Sequence, residues 1–154
     1  MLIAEAIGLG LVVSLLFTEA VGFAAGGFVV PGYVALYLDR PLMLLGTVLA
    51  AGATYLCARV AGRFFVIYGR RSLVLAVLLG FIFGSLMNRL PSLGFVMESG
   101  AVAAIGYIIP GLIAYWMIRQ GVVRTLASML VAAVLVRLAL ILLHGGALLE
   151  TPAL

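Results

Sequence analysis

Long apolar runs dominate the chain, and they limit what it can fold into. About six of them, each near the roughly 20 residues that a membrane-crossing helix needs, fill most of the 154 residues. Only 9% of the residues are charged, against about 25% in an ordinary soluble domain. The sequence therefore predicts an all-α integral membrane protein with one transmembrane domain over residues 1–154 and no second domain.

Short turn-like stretches separate the predicted transmembrane segments. The runs are too long for the strands of a membrane β-barrel, which have about ten residues and alternate in polarity. The first run lacks the basic region and cleavage pattern of a signal peptide, so we expect a retained span. The six predicted segments cover residues 1–17, 20–38, 42–67, 73–87, 99–118 and 122–143.

The polar residues exclude several kinds of chemistry. The chain has no lysine, which excludes a Walker-type phosphate loop and a Schiff-base enzyme. One cysteine, Cys57, and one histidine, His144, cannot form a zinc or iron–sulfur site. The pI of about 9.7 would suggest a nucleic-acid partner in a soluble protein, but here arginines punctuate apolar runs and are typical of anchors at the membrane edge. We expect no catalytic residue, no metal site and no nucleic-acid partner.

An internal repeat divides the chain into two halves. The sequence GFVVPGYVA at residues 27–35 matches GYIIPGLIA at residues 106–114 at an offset of 79 positions, and the same offset relates Glu19 to Glu98 and Arg40 to Arg119. Each half, about 2–67 and about 73–143, contains three apolar segments. An odd number of spans would insert the second half upside down, so the sequence predicts two inverted repeats of three segments.

The distribution of arginines predicts the orientation. If all six segments cross, one side holds five loop arginines and the other holds only Arg40 and Arg89. The positive-inside rule then assigns the loop at residues 63–71 to the cytoplasm and both termini to the outside. If the two Pro-Gly segments are instead re-entrant, the bias almost disappears. The five arginines of the richer side are Arg63, Arg70, Arg71, Arg119 and Arg124.

Two Pro-Gly motifs, Pro31-Gly32 and Pro110-Gly111, lie near the middle of apolar segments. Proline removes a backbone donor and glycine permits unusual dihedrals, so each segment is expected to be broken or kinked. The breaks could bring helix N-termini together for an anion. Alternatively, they are kinks that let helices pack closely, with Gly26, Gly27 and Gly106 as small contact residues.

Several charged residues have two interpretations each. Glu19 and Glu98 are either polar pathway residues or acids in the first turn of a helix, with Thr18 as a cap. Arg40 and Arg119 are either interfacial anchors or carboxylate contacts at entry and exit. Arg137 lies about 9 Å inside its apolar run, so it either snorkels or needs a carboxylate or carbonyl partner.

Four stretches in the same order along nearly the whole chain carry a family resemblance. They are Phe17-Thr18-Glu19, GFVVPGYVAL at 27–36, Ile67-Tyr68-Gly69-Arg70-Arg71, and IGYIIPGLIAYWMIRQG at 105–121. With these stretches the chain resembles the PgsC/CapC family, the membrane subunit of poly-γ-glutamate (capsule) synthesis.

The resemblance implies a multi-pass protein of a bacterial plasma membrane that acts as a non-catalytic subunit of a complex. Its implied partners are an ATP-dependent amide ligase subunit (PgsB/CapB), which would hold ATP and magnesium, and an accessory subunit (PgsA/CapA). The polymer carries one free carboxylate per residue, and guanidinium forks and helix N-termini are suited to carboxylates. An autonomous inverted-repeat transporter and a pure scaffold for the ligase are the alternatives. A homo-oligomer is left open.

Two hypotheses about sites follow. The longest basic run is predicted to dock the ligase. Its residues are Arg63, Tyr68, Arg70 and Arg71. The polymer is predicted to pass the two breaks between Arg119 at the cytoplasmic mouth and Arg40 at the outer mouth, by several shallow contacts. The residues of this polyanion pathway are Pro31, Gly32, Arg40, Pro110, Gly111, Arg119 and Arg137.

Overall fold

Six helices, α1 to α6, form a single bundle in the computed structural model of the chain. The structure describes residues 2–65, 69–89, 96–97, 100–101 and 104–145. Apart from a two-residue antiparallel pair, β1 (Val96–Met97) with β2 (Gly100–Ala101), the regular structure in these ranges is helical. The helices are α1 Leu2–Val21, α2 Val30–Leu36, α3 Pro41–Phe64, α4 Arg70–Arg89, α5 Ile109–Gln120 and α6 Val122–Leu143.

Four of the helices, α1, α3, α4 and α6, are long and apolar enough to cross a membrane. With 7 and 12 residues, α2 and α5 extend only about 10 and 18 Å, whereas the hydrocarbon core is about 30 Å thick. The chain is therefore an all-α membrane protein, as expected. The sequence predicts that the second and fifth segments are broken or kinked, and each of them contains one of these two short helices.

Both Pro-Gly segments are helical only after the break. The predicted spans 20–38 and 99–118 contain helices that begin at Val30 and Ile109, each with its proline in the first turn. Proline is favoured there because the first helical N–H groups have no partner within the helix and the fixed φ already suits a helix. The motif therefore starts a short helix, where the sequence predicted a break in the middle of a segment.

α1 and α3 begin at the end of the bundle where α6 finishes. Near the end of α6, Arg137 contacts Asp39, just before α3, and His144 lies 3.4 Å from the Glu5 carboxylate of α1. Because α1 and α3 both begin at this end, residues 22–40 return the chain to it through a non-helical stretch followed by α2. In the second half, the stretch before α5 lies at the same end, because Ile105 N–H donates to Thr47 Oγ1 near the start of α3.

Each short helix packs between a long helix of its own half and one of the other half. α2 contacts α1 and α6, and α5 contacts α4 and α3. In addition, α3 packs on α4 and α6 packs on α1. The two halves thus make corresponding contacts. The third helix of each half, α3 or α6, packs against the short helix of the other half, so neither half is an independent unit.

Glycines allow each short helix to approach its neighbour at backbone distance. A Cβ on Gly10 of α1 would lie 2.7 Å from the Gly32 Cα, and a Cβ on Gly80 of α4 would overlap the Gly111 backbone. Gly10 and Gly80 are 70 positions apart, whereas Gly32 and Gly111 are 79 apart. α1 and α4, the first helices of the two halves, therefore correspond at an offset of 70 positions, which is shorter than the 79 of the sequence repeat.

We predict that Gly32→Ala and Gly111→Ala each destabilise the bundle by about 1–3 kcal/mol, because the added methyl group would lie 2.6 Å from the carbonyl oxygen of Ala6 or Ala76. The thermal midpoint of the protein purified in detergent measures this. Gly52→Ala in α3 is the matched control, since no atom lies within 4 Å of its added Cβ and alanine favours a helix. Equal midpoints for Gly32→Ala, Gly111→Ala and Gly52→Ala would contradict the close packing.

Candidate functional site

The arginines are unequally divided between the two ends of the bundle. One end, where α3 and α5 finish and α4 and α6 start, carries six of the nine cationic residues, and we call it the arginine-rich end. The structure places at this end the five arginines that the sequence assigns to one side of the membrane, together with Arg59 of α3. The six are Arg59, Arg63, Arg70, Arg71, Arg119 and Arg124; Arg40, Arg89 and Arg137 belong to the opposite end.

A cleft of about 320 Å³ lies between α3, α4 and α5 at the arginine-rich end. Arg59 and Arg63, one helical turn apart on α3, line it together with Ser72 in the first turn of α4. Its remaining walls are small or apolar and come from all three helices. They are Ala58, Gly62, Leu75 and Ile118.

A second cleft, of about 410 Å³, lies between α4 and α5. It is lined by Arg70 and Arg119 together with Gly69, Leu73, Val74 and Tyr115. The basic run predicted as one docking surface is therefore divided, with Arg63 in the first cleft and Arg70 in the second. Tyr68 of that run lies outside the described residues.

Two arginines of this end are held by tyrosines one turn earlier in their helices. Arg119 Nη1 donates to the Tyr115 hydroxyl at 2.9 Å, and Arg59 Nη1 donates to the Tyr55 hydroxyl at 2.6 Å. Each guanidinium also lies near the ring of the same tyrosine, at 5.7 Å and 5.8 Å from its centroid. Both side chains therefore bend back toward the middle of the bundle and remain exposed to a ligand.

Arg137 of α6 has the carboxylate and carbonyl partners that its depth required. Its Nη2 donates to Asp39 Oδ2 at 2.6 Å, and its Nη1 donates to the Ala35 carbonyl at 3.0 Å. The Arg137 side chain is only 13% exposed and that of Asp39 is 50% exposed. The pair ties α6 to the C-terminal end of α2, where a cation also suits the helix dipole. Asp39 looked like a simple turn residue in the sequence.

The Pro-Gly motifs are buried, and the space between them is apolar. Val30 and Ile109, next to the two prolines, belong to one cluster of buried side chains. The short helices thus meet around packed hydrocarbon, and their glycines contact α1 and α4. This favours the close-packing interpretation of the motifs, although the contact glycines are Gly32 and Gly111 rather than Gly26, Gly27 and Gly106. The cluster contains Val30, Val34, Ala51, Ile105, Ile109, Ile113, Met117, Met129 and Ala133.

Polar side chains of the long helices satisfy the non-helical backbone before each short helix. In the first half, Gln120 exchanges hydrogen bonds with the backbone of Ala24, and Ser128 Oγ donates to the Ala24 carbonyl at 3.0 Å. In the second half, Ala104 N–H donates to Asn88 Oδ1 at 2.9 Å, and Ile105 N–H donates to Thr47 Oγ1 at 2.8 Å. Sequence reasoning missed these roles. For Thr47 and Ser128 the signal was a polar residue inside an apolar run, whereas Gln120 and Asn88 lie in stretches that the sequence predicts as turns.

Glu19 does not have the capping position that one interpretation gave it. It lies in the last turn of α1, where the helix dipole disfavours an acid, and Thr18 Oγ1 donates back to the Ser14 carbonyl at 2.7 Å. The first-turn interpretation is therefore wrong, because α1 continues four residues beyond the predicted Phe17. Its partner in the repeat, Glu98, lies outside the described residues.

Comparison with known proteins decides the family. The family described as "Capsule biosynthesis CapC" matches residues 9–126. The chain belongs to the CapC family. Two relatives are "Capsule biosynthesis protein CapC" of Bacillus anthracis, 35% identical over 80% of this chain and 83% of the relative, and "PGA biosynthesis protein CapC" of Bacillus subtilis (strain 168), 34% identical over 79% and 82%. No solved structure matches the chain significantly.

The stretch that matches the CapC family contains both Pro-Gly motifs and all six arginines of the arginine-rich end. It ends at residue 126, before Arg137. The ion pair of Arg137 with Asp39 therefore joins the matched stretch to the part of this CapC-family chain that follows it.

We predict that Asp39→Asn and Arg137→Gln each destabilise the bundle by about 1–3 kcal/mol, because each removes a charge-assisted hydrogen bond between α6 and the chain after α2. The double variant should be less destabilised than the sum of the two single variants. Thermal midpoints in detergent measure all three. Arg124→Gln, near the start of the same helix and stacked on Phe23, is the control. Strictly additive effects would show that the two residues do not interact.

Proposed function

We propose that this chain is the membrane subunit of a poly-γ-glutamate synthase and export complex. The relatives named for capsule and PGA biosynthesis support this proposal. The observation that carries it furthest is the gathering of six arginines at one end of an otherwise apolar bundle, since the polymer and an acidic partner surface are both anionic.

In this proposal the chemistry of chain growth belongs to a ligase partner. Amide formation driven by ATP requires a phosphate-binding loop and a magnesium site, which the ligase supplies. The membrane subunit has no lysine for such a loop. It anchors the ligase, receives the growing polyanion and assists its passage. An accessory subunit of the CapA kind would act on the opposite face.

We further propose that the chain crosses the membrane six times, as two inverted halves, with the arginine-rich end in the cytoplasm. α1 and α3 begin at the same end of the bundle, so residues 22–40 must lead the chain back from the end of α1 to the start of α3. This return supports a crossing by residues 22–40. The polar partners of Ala24 and Ala104 support it too, since they satisfy buried non-helical backbone. Both termini would lie outside.

The docking surface proposed for the ligase is centred on Arg70 and Arg71. Both are exposed in the first turn of α4 and border a shallow apolar depression lined by Val74, Leu75 and Leu78. Exposed guanidinium groups beside apolar side chains suit a partner surface with acidic and apolar residues. Arg63 of the predicted run lines the first cleft and not this depression.

The polymer contacts that we propose are the exposed arginines at the two ends, Arg119 and Arg40. Arg119 ends α5 at the arginine-rich end, and Arg40 precedes α3 at the opposite end. The apolar cluster between the Pro-Gly motifs offers no partner to a carboxylate, so Pro31, Gly32, Pro110 and Gly111 fix helix positions in this proposal. Arg137 is engaged by Asp39 and serves the fold.

Replacing Arg70 and Arg71 by serine should weaken retention of the ligase about tenfold, because two charges of the interface are lost. Copurification of the ligase with the tagged membrane subunit, at two salt concentrations, measures this. Arg124→Ser is the matched control at the same end, since it faces Phe23. A complex that survives the double change unaltered would remove the docking surface while leaving the membrane-subunit proposal in place.

Arg40→Gln and Arg119→Gln should each lower the polymer released per cell several-fold, because each removes a guanidinium fork for carboxylates. Protein level and ligase association, measured by immunoblot and copurification, should not change. Arg124→Gln is again the control. Unchanged release from both variants would show that the exposed arginines do not carry the polymer.

A further inference from the structure

The cleft between α3, α4 and α5 has a composition that neither docking nor polymer passage explains. Arg59 and Arg63 supply two guanidinium groups and Ser72 supplies a hydroxyl, while Ala58, Leu75 and Ile118 make the rest of the wall apolar. Gly62 has nothing within 4 Å of an added Cβ, so it leaves the mouth open. Two cations and one hydroxyl in a partly apolar cleft fit an anionic group with an attached hydrocarbon portion.

The depth of the cleft agrees with such a ligand. Arg59 lies five residues before the end of α3, about 7.5 Å along the axis, and its guanidinium bends further inward toward Tyr55. Arg63 and Ser72 lie nearer the ends of their helices. The two cations therefore lie within about 8 Å of the end of α3, which is comparable with the roughly 5–8 Å thickness of the polar headgroup region of one leaflet.

The surfaces beside the cleft are apolar and exposed. On the neighbouring face of α3, Val60 is 55% and Phe64 is 80% exposed, and on α4 Val74 and Leu78 are 62% and 59% exposed. An acyl chain could lie along α3 while its headgroup occupies the cleft, since the α4 surface borders the one proposed for the ligase. A γ-glutamate polymer has only two methylene groups per residue beside its amide and carboxylate, so it would cover little of this apolar surface.

We infer that this cleft is a binding site for an anionic phospholipid, with the phosphate held by Arg59, Arg63 and Ser72 and an acyl chain along α3. Basic clefts between membrane helices at the cytoplasmic side are suited to such headgroups. The site is separate from the second cleft, with Arg70 and Arg119, and it rests on the proposed function only for the cytoplasmic orientation of the arginine-rich end.

The test uses the full chain, purified in detergent and depleted of lipid. Native mass spectrometry measures binding of phosphatidylglycerol and of phosphatidylcholine with the same acyl chains. We expect a clear preference for phosphatidylglycerol. Arg59→Gln and Arg63→Gln should each lower its binding about fivefold, and the double variant roughly thirtyfold, with phosphatidylcholine binding unchanged.

Arg124→Gln is the matched control, because it removes the same charge at the same end but outside the cleft. If the double variant does not yield folded protein, Arg63→Gln alone tests the site at the exposed last turn of α3. Equal binding of the two lipids, or an Arg124→Gln effect as large as that of Arg63→Gln, would overturn the inference. Displacement of the lipid by inorganic phosphate or by a short γ-glutamate oligomer at equal concentration would also overturn it, since the site would then select a soluble anion.

Discussion

A buried backbone amide needs a hydrogen-bond partner, and the described non-helical stretches before α2 and α5 depend on that constraint. Side chains from other helices provide the missing partners, Gln120 and Ser128 for Ala24, and Asn88 and Thr47 for Ala104 and Ile105. These bonds fix where each stretch lies. They thereby fix where α2 and α5 begin, and the glycine contacts with α1 and α4 follow from those positions.

The same arrangement separates polar from apolar regions along the bundle axis. The centre is filled by the apolar cluster around Val30 and Ile109, while the exposed guanidinium groups lie toward the ends. Arg137, the more buried exception, is matched by Asp39 and a helix C-terminus. For this reason the proposed polymer contacts lie at the two ends of the bundle. The arginine-rich end presents two separate basic clefts, and their different walls are the reason to assign them different ligands.

The sequence predicts a helix correctly where the local apolar pattern is sufficient, and it fails where contacts with distant residues decide the backbone structure. α6 covers the predicted residues 122–143, because an uninterrupted apolar run has one stable form in lipid. The span predicted at 20–38 is helical over only seven residues, since hydropathy does not distinguish a helix from backbone satisfied by other side chains. Glu19 was misplaced because the sequence prediction ended the first segment at Phe17, whereas α1 continues to Val21 and is followed by Gly22 with a φ of 79°. The inverted membrane orientation of the two halves stays a prediction.

The sequence alone is enough to predict an all-α membrane protein that resembles the CapC family, an unequal division of its arginines, and an acidic or carbonyl partner for Arg137. Composition and apolar run length predict the membrane class, whereas the family resemblance depends on specific motifs. The loop positions of the arginines give their division, and the cost of a buried charge gives the need for a partner. Only the tertiary structure decided that Asp39 is that partner, that Arg63 separates from Arg70, and that each short helix packs between the two halves. These are contacts between residues far apart in the chain, and the physical reason is that their geometry exists only once all six helices are packed.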